Sequence, residues 1–280
     1  MKKILVPIDF SKESLNALEA ARTFAENAGS EIFLLNVIED PIVNSTEITG
    51  EPHYDPMDNL YISQLFAKTK ERFETIIADE KFGSIQIGYK VDIGNAYSSI
   101  AQHIAQQDAT LIIMGSNGAS GLQEILLGSV ADKVTRYAKC PVIVVKGEAQ
   151  FSSLSDILFA TGLQEDQDQV LEKLKPFQTF FDAHLHVYNA VTSDKSFFGE
   201  VEEKMQAMMT RHNIEHYTLV IERDNDIADS ILEYAKQKNI GLIAFGTHSR
   251  HSFLHLLESK VSRNLTHHAH RPIWSVAIVD

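Results

Sequence analysis

The chain writes one order of strands and helices twice, and that repetition constrains its fold more than any single motif. ILVPID from Ile4 aligns with ILFATG from Ile157, and IFLLNV from Ile32 with LHVYNA from Leu185, both 153 residues further on. LIIMGSNG from Leu111 aligns with LIAFGTHS from Leu242, and PVIVV from Pro141 with PIWSV from Pro272, both 131 residues further on. Each copy carries about five strand signals alternating with about four helix signals, the pattern of a parallel sheet covered by helices on both faces. The expected fold is α/β: two tandem doubly wound parallel five-stranded sheets, in domains spanning residues 1–148 and 153–280. The boundary between them is placed at the polar, small-residue stretch GEAQFSS, Gly147 to Ser153.

The second copy is 22 residues shorter, the difference between the two offsets, and all of it falls between the second and third strands. There the first copy has residues 39–59, whose three prolines and Gly50 indicate a long surface loop: a lid, a partner site or a tolerated insertion. Ser11 and Gly29 mark the start and stop of the first helix. Gly94 predicts a left-handed turn ahead of a helix beginning near Asn95. In such sheets a ligand lies beyond the carboxyl ends of the strands, where strand order reverses, so Asp9 and Gly115 are expected to meet.

Gly115 opens the densest motif. MGSNGASGLQEILLGSV, Met114 to Val130, sets Gly115, Gly118, Gly128 and Ser129 in the pattern G-x2-G-x9-G-S, after the apolar strand TLIIM. Ser129 followed by Asp132 reads as the N-cap and third position of a helix, a capping-box variant. A strand, a glycine loop and a helix N-terminus in sequence suit an anion, since the first amides of a helix lack intrahelical partners and its dipole is positive there. The plainer alternative is that the glycines only turn a loop. The spacing resembles the nucleotide-binding motif of the universal stress protein family. KKILVPIDFS resembles that family's first strand, with its acid at the strand end, and CPVIVVK its last.

The resemblance implies an adenine-nucleotide-binding, Rossmann-like domain. It implies that Asp9 accepts hydrogen bonds from ribose, with Asp9 as a cap of the first helix as the competing role. It further implies that the Val37 backbone reads the adenine edge and that Met114 and Gly115 line base and ribose, with Pro7 in the same set. Gly118, Gly128, Ser129 and the amide of Val130 would hold the phosphates. The implied ligand is ATP or AMP, with Mg²⁺, in a regulatory protein of the stress response acting on an unidentified protein partner. The resemblance also implies, for some members, slow hydrolysis or autophosphorylation. Here no P-loop lysine follows the glycines, no GxGxxG follows the first strand and no general base stands beside Ser129, so no catalytic residue is assigned and turnover is expected to be at most slow.

Charge and composition narrow the alternatives. A net charge of −13 disfavours nucleic acid, which needs clustered cations, and requires local amides and dipoles for any polyphosphate. No apolar stretch approaches the roughly 20 residues of a membrane span. Asp9 and Pro7 interrupt the opening apolar run too early for a signal peptide. The single cysteine, Cys140, fits a reducing cytoplasm.

The second copy departs from the motif. At the stated offsets Asp9 becomes Gly162, Gly118 becomes Ser249, Gly128 becomes Ser259 and Ser129 becomes Lys260, while Gly115 is kept as Gly246. This half is therefore expected to be degenerate. Its histidines offer a rival function, a metal- or small-ligand-binding scaffold built on His184, His186, His248, His251 and His255; a slow nucleotide hydrolase is the other. The final strands, VIVVK and PIWSVAIV, are expected to pair across the two halves as an intramolecular pseudo-dimer, with a homodimer of the whole chain left open.

Overall fold

A computed structural model describes residues 2–39, 56–116, 128–149, 151, 154–163, 167–191, 198–224, 227–248 and 271–278. The first copy contains β1 (Lys3–Pro7), α1 (Lys12–Ala28), β2 (Glu31–Ile38), α2 (Pro56–Ile77), β3 (Ile87–Ile93), α3 (Ala96–Gln106), β4 (Leu111–Gly115), α4 (Ser129–Tyr137) and β5 (Val142–Val145). The second contains β6 (Asp156–Ala160), α5 (Gln167–Phe181), β7 (His184–Val191), α6 (Phe198–Arg211), β8 (Tyr217–Arg223), α7 (Ile227–Gln237), β9 (Leu242–His248) and β10 (Ile273–Ile278).

Continuously apolar strands such as LIIMG and VIVV are buried on both sides, as a parallel sheet sandwiched between helices demands. Within each copy the strands are parallel and ordered third, second, first, fourth, fifth; the two sheets join as one, β3-β2-β1-β4-β5-β10-β9-β6-β7-β8. The join is the antiparallel pair of β5 and β10, with Trp274 opposite Ile143. The expected pairing of the final strands is therefore what fuses the two five-stranded sheets.

One face carries a core shared by both copies, formed by α1, α2, α5 and α6 over the sheet. Phe24 of α1 and Phe177 of α5, counterparts at the 153-residue offset, stack at 5.4 Å across the junction. On the opposite face α3 and α4 cover the first copy and α7 the second. The boundary stretch is not a free linker: Phe151 is buried, its amide donates to Thr23 Oγ1 at 3.0 Å, and its carbonyl accepts from Asn27 Nδ2 at 3.1 Å.

Ser11 caps α1, its side chain accepting from Ser14 N, and Gly29 ends it at φ 60°, in the left-handed region that favours glycine. Gly94 has φ 129°, and the Asn95 side chain caps α3. Of the segment read as loop, residues 39–59, residues 40–55 lie outside the described residues and 56–59 need correction, because α2 starts at Pro56 and runs for 22 residues against 14 in α6. Proline suits the first helical position, where no N–H is required, so its presence did not mean loop. Among the described residues no helix is long and apolar enough to cross a membrane.

Candidate functional site

The carboxyl ends of β1 and β4 enclose a cleft of about 380 Å³, closed by β2 and the first turns of α1, α3 and α4. Pro7, Asp9, Val37, Met114, Gly115, Gly128, Ser129 and Val130 all line it. Gly118 lies outside the described residues. The order reversal brings these positions together, since β1 sits between β2 and β4. Leu35, Glu39, Ala96 and Ile100 also line the cleft and were missed from sequence. Their signal was present: Leu35, Val37 and Glu39 alternate on one face of β2 and its extension, and Ala96 and Ile100 are four apart on a helix.

The turn bearing Asp9 is fixed residue by residue. Ile8 N donates to Leu35 O at 2.8 Å, and Ile8 O accepts from the buried Asn36 amide at 2.7 Å. Asp9 Oδ1 accepts from Ser11 N at 3.0 Å, so Asp9 braces the turn while Ser11 performs the capping. The second copy repeats the scaffold, with Asn189 Nδ2 donating to Thr161 O at 2.7 Å, but Gly162 replaces the acid.

At the other wall, Ser116 N donates to Val145 O at 3.1 Å and Ser116 O accepts from Gly128 N at 2.7 Å. Gly128, not Ser129, is the N-cap of α4; it makes no side-chain cap bond, and Ser129 is the first helical residue. The expected capping box is absent because Asp132 turns to Arg136, with Oδ1 accepting from Nε at 3.0 Å. The amides of Ser129 and Val130 precede the first α4 bond, from Asp132 N to Gly128 O, and both residues line the cleft. The cleft thus joins apolar walls, a carboxylate at a strand end and a helix N-terminus.

Gly115 has a second reason to be glycine. A Cβ there would lie 2.7 Å from the backbone carbon of Glu13, so the residue sets how closely α1 approaches β4. At Gly246, its counterpart, a Cβ would meet Val170 Cγ2 at 2.6 Å and Ile278 Cδ1 at 2.7 Å. Packing in this fold, independent of any ligand, accounts for the one motif glycine kept in both copies.

Where the first copy has Leu35 and Met114, the second has Tyr188 and Phe245, both buried. Tyr188 donates to Glu222 Oε2 at 2.8 Å, and burial is the main cause holding its hydroxyl above the usual tyrosine pKa. The corresponding cleft positions are thus occupied by large side chains. Ser249, Ser259 and Lys260 lie outside the described residues.

Of the histidine set, the described members are not brought together as one group. His184 and His186 lie at the amino end of β7, their rings 5.0 Å apart. His186 pairs with Asp156 at 3.1 Å and with the Tyr234 hydroxyl at 2.9 Å, and His184 with Thr218 at 2.8 Å. Leu158 is in register with both His186 and Ile243, which puts His248 five residues further along β9, about 16 Å away at the usual strand rise. His251 and His255 lie outside the described residues. Among those described, no group of three or more histidine, cysteine or acidic residues is arranged to hold a metal.

Comparison with known proteins agrees with this architecture. The model of the universal stress protein family matches residues 1–146 and again residues 154–277. Universal stress protein YxiE of Bacillus subtilis is 30% identical over 148 residues, 51% of this chain and 98% of that protein. A universal stress protein of Methanocaldococcus jannaschii is 30% identical over 157 residues, 52% of this chain and 94% of that protein. Among solved structures, a universal stress protein from Archaeoglobus fulgidus superposes over 99% of this chain and 97% of its own, with a TM-score of 0.73 at 23% identity, a likeness of fold.

Proposed function

We propose a regulatory nucleotide-binding role from one premise: the chain belongs to the universal stress protein family, in two tandem copies. In this reading the first copy binds ATP or AMP, one nucleotide per chain, and the second copy is a degenerate partner that completes the sheet. The observation that carries it is the cleft itself, which combines Asp9, apolar walls from Leu35, Val37, Ile100 and Met114, and the start of α4. A base fits the apolar walls, a ribose the Asp9 carboxylate, and phosphates the amides of Ser129 and Val130. Gly128 keeps a side chain away from the phosphate chain, and the spacing of the motif gives Gly118 the same role. Mg²⁺ is expected to enter on the polyphosphate and to offset its charge in an acidic protein.

Turnover is at most slow, and occupancy acts by altering a surface seen by a protein partner in a cytoplasmic stress response. The test is calorimetric titration of the purified full chain with ATP and with AMP, with and without Mg²⁺, alongside mass spectrometry of any ligand that co-purifies. A ligand at a hundred times its Kd adds about 2.7 kcal/mol, roughly a 5 °C rise in Tm at this length. Gly118→Asp and Asp9→Ala should weaken or abolish both signals. Absence of heat, melting shift and co-purified nucleotide in the unaltered protein overturns the reading. A single-turnover assay with ATP separates a binder from a slow hydrolase.

A further inference from the structure

The turn that carries Asp9 is gripped from outside the cleft. Phe10, the next residue, has φ 63°, a region in which bulky side chains are rare. The Arg72 guanidinium lies 4.4 Å from the centre of its ring, and the Phe73 ring 5.3 Å from it. Phe73 is fully buried and stands 5.0 Å from Tyr89 on β3. Arg72 and Phe73 both belong to α2, the helix that is 22 residues long where its counterpart has 14. Leu163, the counterpart of Phe10, has φ 60°, so the left-handed turn itself is a property of the fold. The aromatic ring with a cation over it belongs to the first copy alone, the copy that has the acid.

We propose that α2 is the positioning element of the cleft: Arg72 and Phe73 hold the Phe10 ring and thereby set the direction of the Asp9 carboxylate. The proposal rests on the reading of the cleft as a nucleotide site. Ile8 is tied to β2 through Leu35 and Asn36, and Ser11 is tied into the cap of α1. Asp9 and Phe10 are the residues between these anchors, and the Phe10 ring is the side chain by which α2 reaches them. The left-handed backbone persists without the ring, as at Leu163, but release of the Phe10 ring loosens the turn about it and lets the Asp9 carboxylate move away from Ser11 N. The coupling is reciprocal: a ligand that fastens Asp9 also tightens α2. Site occupancy is thereby read out on a helix surface outside the cleft.

The test uses the full-length protein, ATP calorimetry and amide hydrogen exchange. Arg72→Ala should weaken ATP binding about two- to five-fold, as loss of one cation–π contact predicts, with little change in Tm. Arg72→Lys should restore most of that loss, and Phe10→Ala should cost about ten-fold or more. Leu163→Ala, the corresponding truncation in the second copy, should lower Tm without changing affinity. Combined with Asp9→Ala, Arg72→Ala should add nothing further, because both act through one carboxylate. ATP should slow exchange across residues 60–77 in the unaltered protein and fail to do so in Phe10→Ala. Unchanged affinity in Arg72→Ala and Phe10→Ala, or losses that add to that of Asp9→Ala, overturns the proposal. Exchange at the Ser11 and Ser14 amides without nucleotide reports the grip alone. If Phe10→Ala speeds it while the unaltered protein takes up no ATP, the nucleotide reading has failed and the grip has not; if exchange is unchanged, the grip has failed whatever ATP does.

Discussion

Alanine at Gly115 and alanine at Gly246 are the same substitution at the same place in two copies of one fold, and the structure assigns them different costs. At Gly115 the added Cβ meets backbone, 2.7 Å from Glu13 C and 2.9 Å from Glu13 O, so α1 itself must move. At Gly246 it meets side chains, Ile278 Cδ1, which can turn aside, and Val170 Cγ2, which is held at a restricted χ1 in a buried helix position but is not backbone. Overpacking costs about 1–3 kcal/mol, and a glycine in a strand forgoes roughly 0.5–1 kcal/mol that alanine recovers. The backbone contact takes the upper end and nets about 2 kcal/mol of destabilisation; the side-chain contact takes the middle and nets about 1 kcal/mol. At roughly 2 °C per kcal/mol for a chain of this size, Gly115→Ala should lower Tm by about 4 °C and Gly246→Ala by about 2 °C, read by scanning calorimetry. Movement of α1 also shifts Ser14 in the cleft lining, so only Gly115→Ala should weaken ATP binding. An equal or larger Tm loss at Gly246 refutes the reasoning, because it means that backbone and side-chain obstacles yield alike.

Asn36→Ala and Asn189→Ala should each cost about 1–3 kcal/mol in urea unfolding, since each leaves a buried strand-end carbonyl without its donor, but only Asn36→Ala should also reduce ATP affinity. Burial, helped by His186, lowers the His184 pKa, so between its ordinary value and the depressed one the unfolded chain binds the extra proton and stability falls as pH falls. Asp156 extends that loss at lower pH: burial alone would raise its pKa, but hydrogen bonds from Ser155 and His186 and the neighbouring imidazoles hold it below normal. Unfolding free energies at pH 7.5, 6 and 5 should show a shallower decline in His184→Gln than in the unaltered chain. Burial pushes the Cys140 thiol up to about 12, so an alkylating reagent at pH 8 should label it only after denaturant is added.

The parts of this fold governed by local rules were legible. Gly29 and Gly94 specify a backbone state that few residues satisfy, Ser11 supplies a side-chain cap that few residues can, and the structure uses all three as read. Two boundaries were misread because two local solutions compete. A glycine can cap a helix through its backbone alone, which displaced Ser129 to the first turn, and a proline can begin a helix as well as end one, which hid the start of α2. Leu35 and Ile100 were missed because a ligand's apolar wall looks in sequence like any buried face. Phe10 and Phe151 had a weak signal, an isolated aromatic in a polar stretch, but their partners lie in α2, α1 and α5, and sequence does not show distance.

The duplication itself separates residues that serve the fold from residues that serve a ligand. Features present in both copies need no ligand to explain them: the asparagine that ties the strand-end carbonyl, the left-handed residue at 10 and 163, the stacked Phe24 and Phe177, and the glycine at 115 and 246. By that standard Gly115, however well it fits a nucleotide motif, is weak support for nucleotide binding. Asp9 is stronger support, because the second copy keeps the turn and drops the carboxylate. Leu35 and Met114 count for the same reason, since the second copy keeps the sheet and sets larger, buried aromatics at those positions. The case for a site in the first copy therefore rests on what the second copy lacks, and substitutions at Asp9, Gly128 and Ser129 test it more directly than any at Gly115.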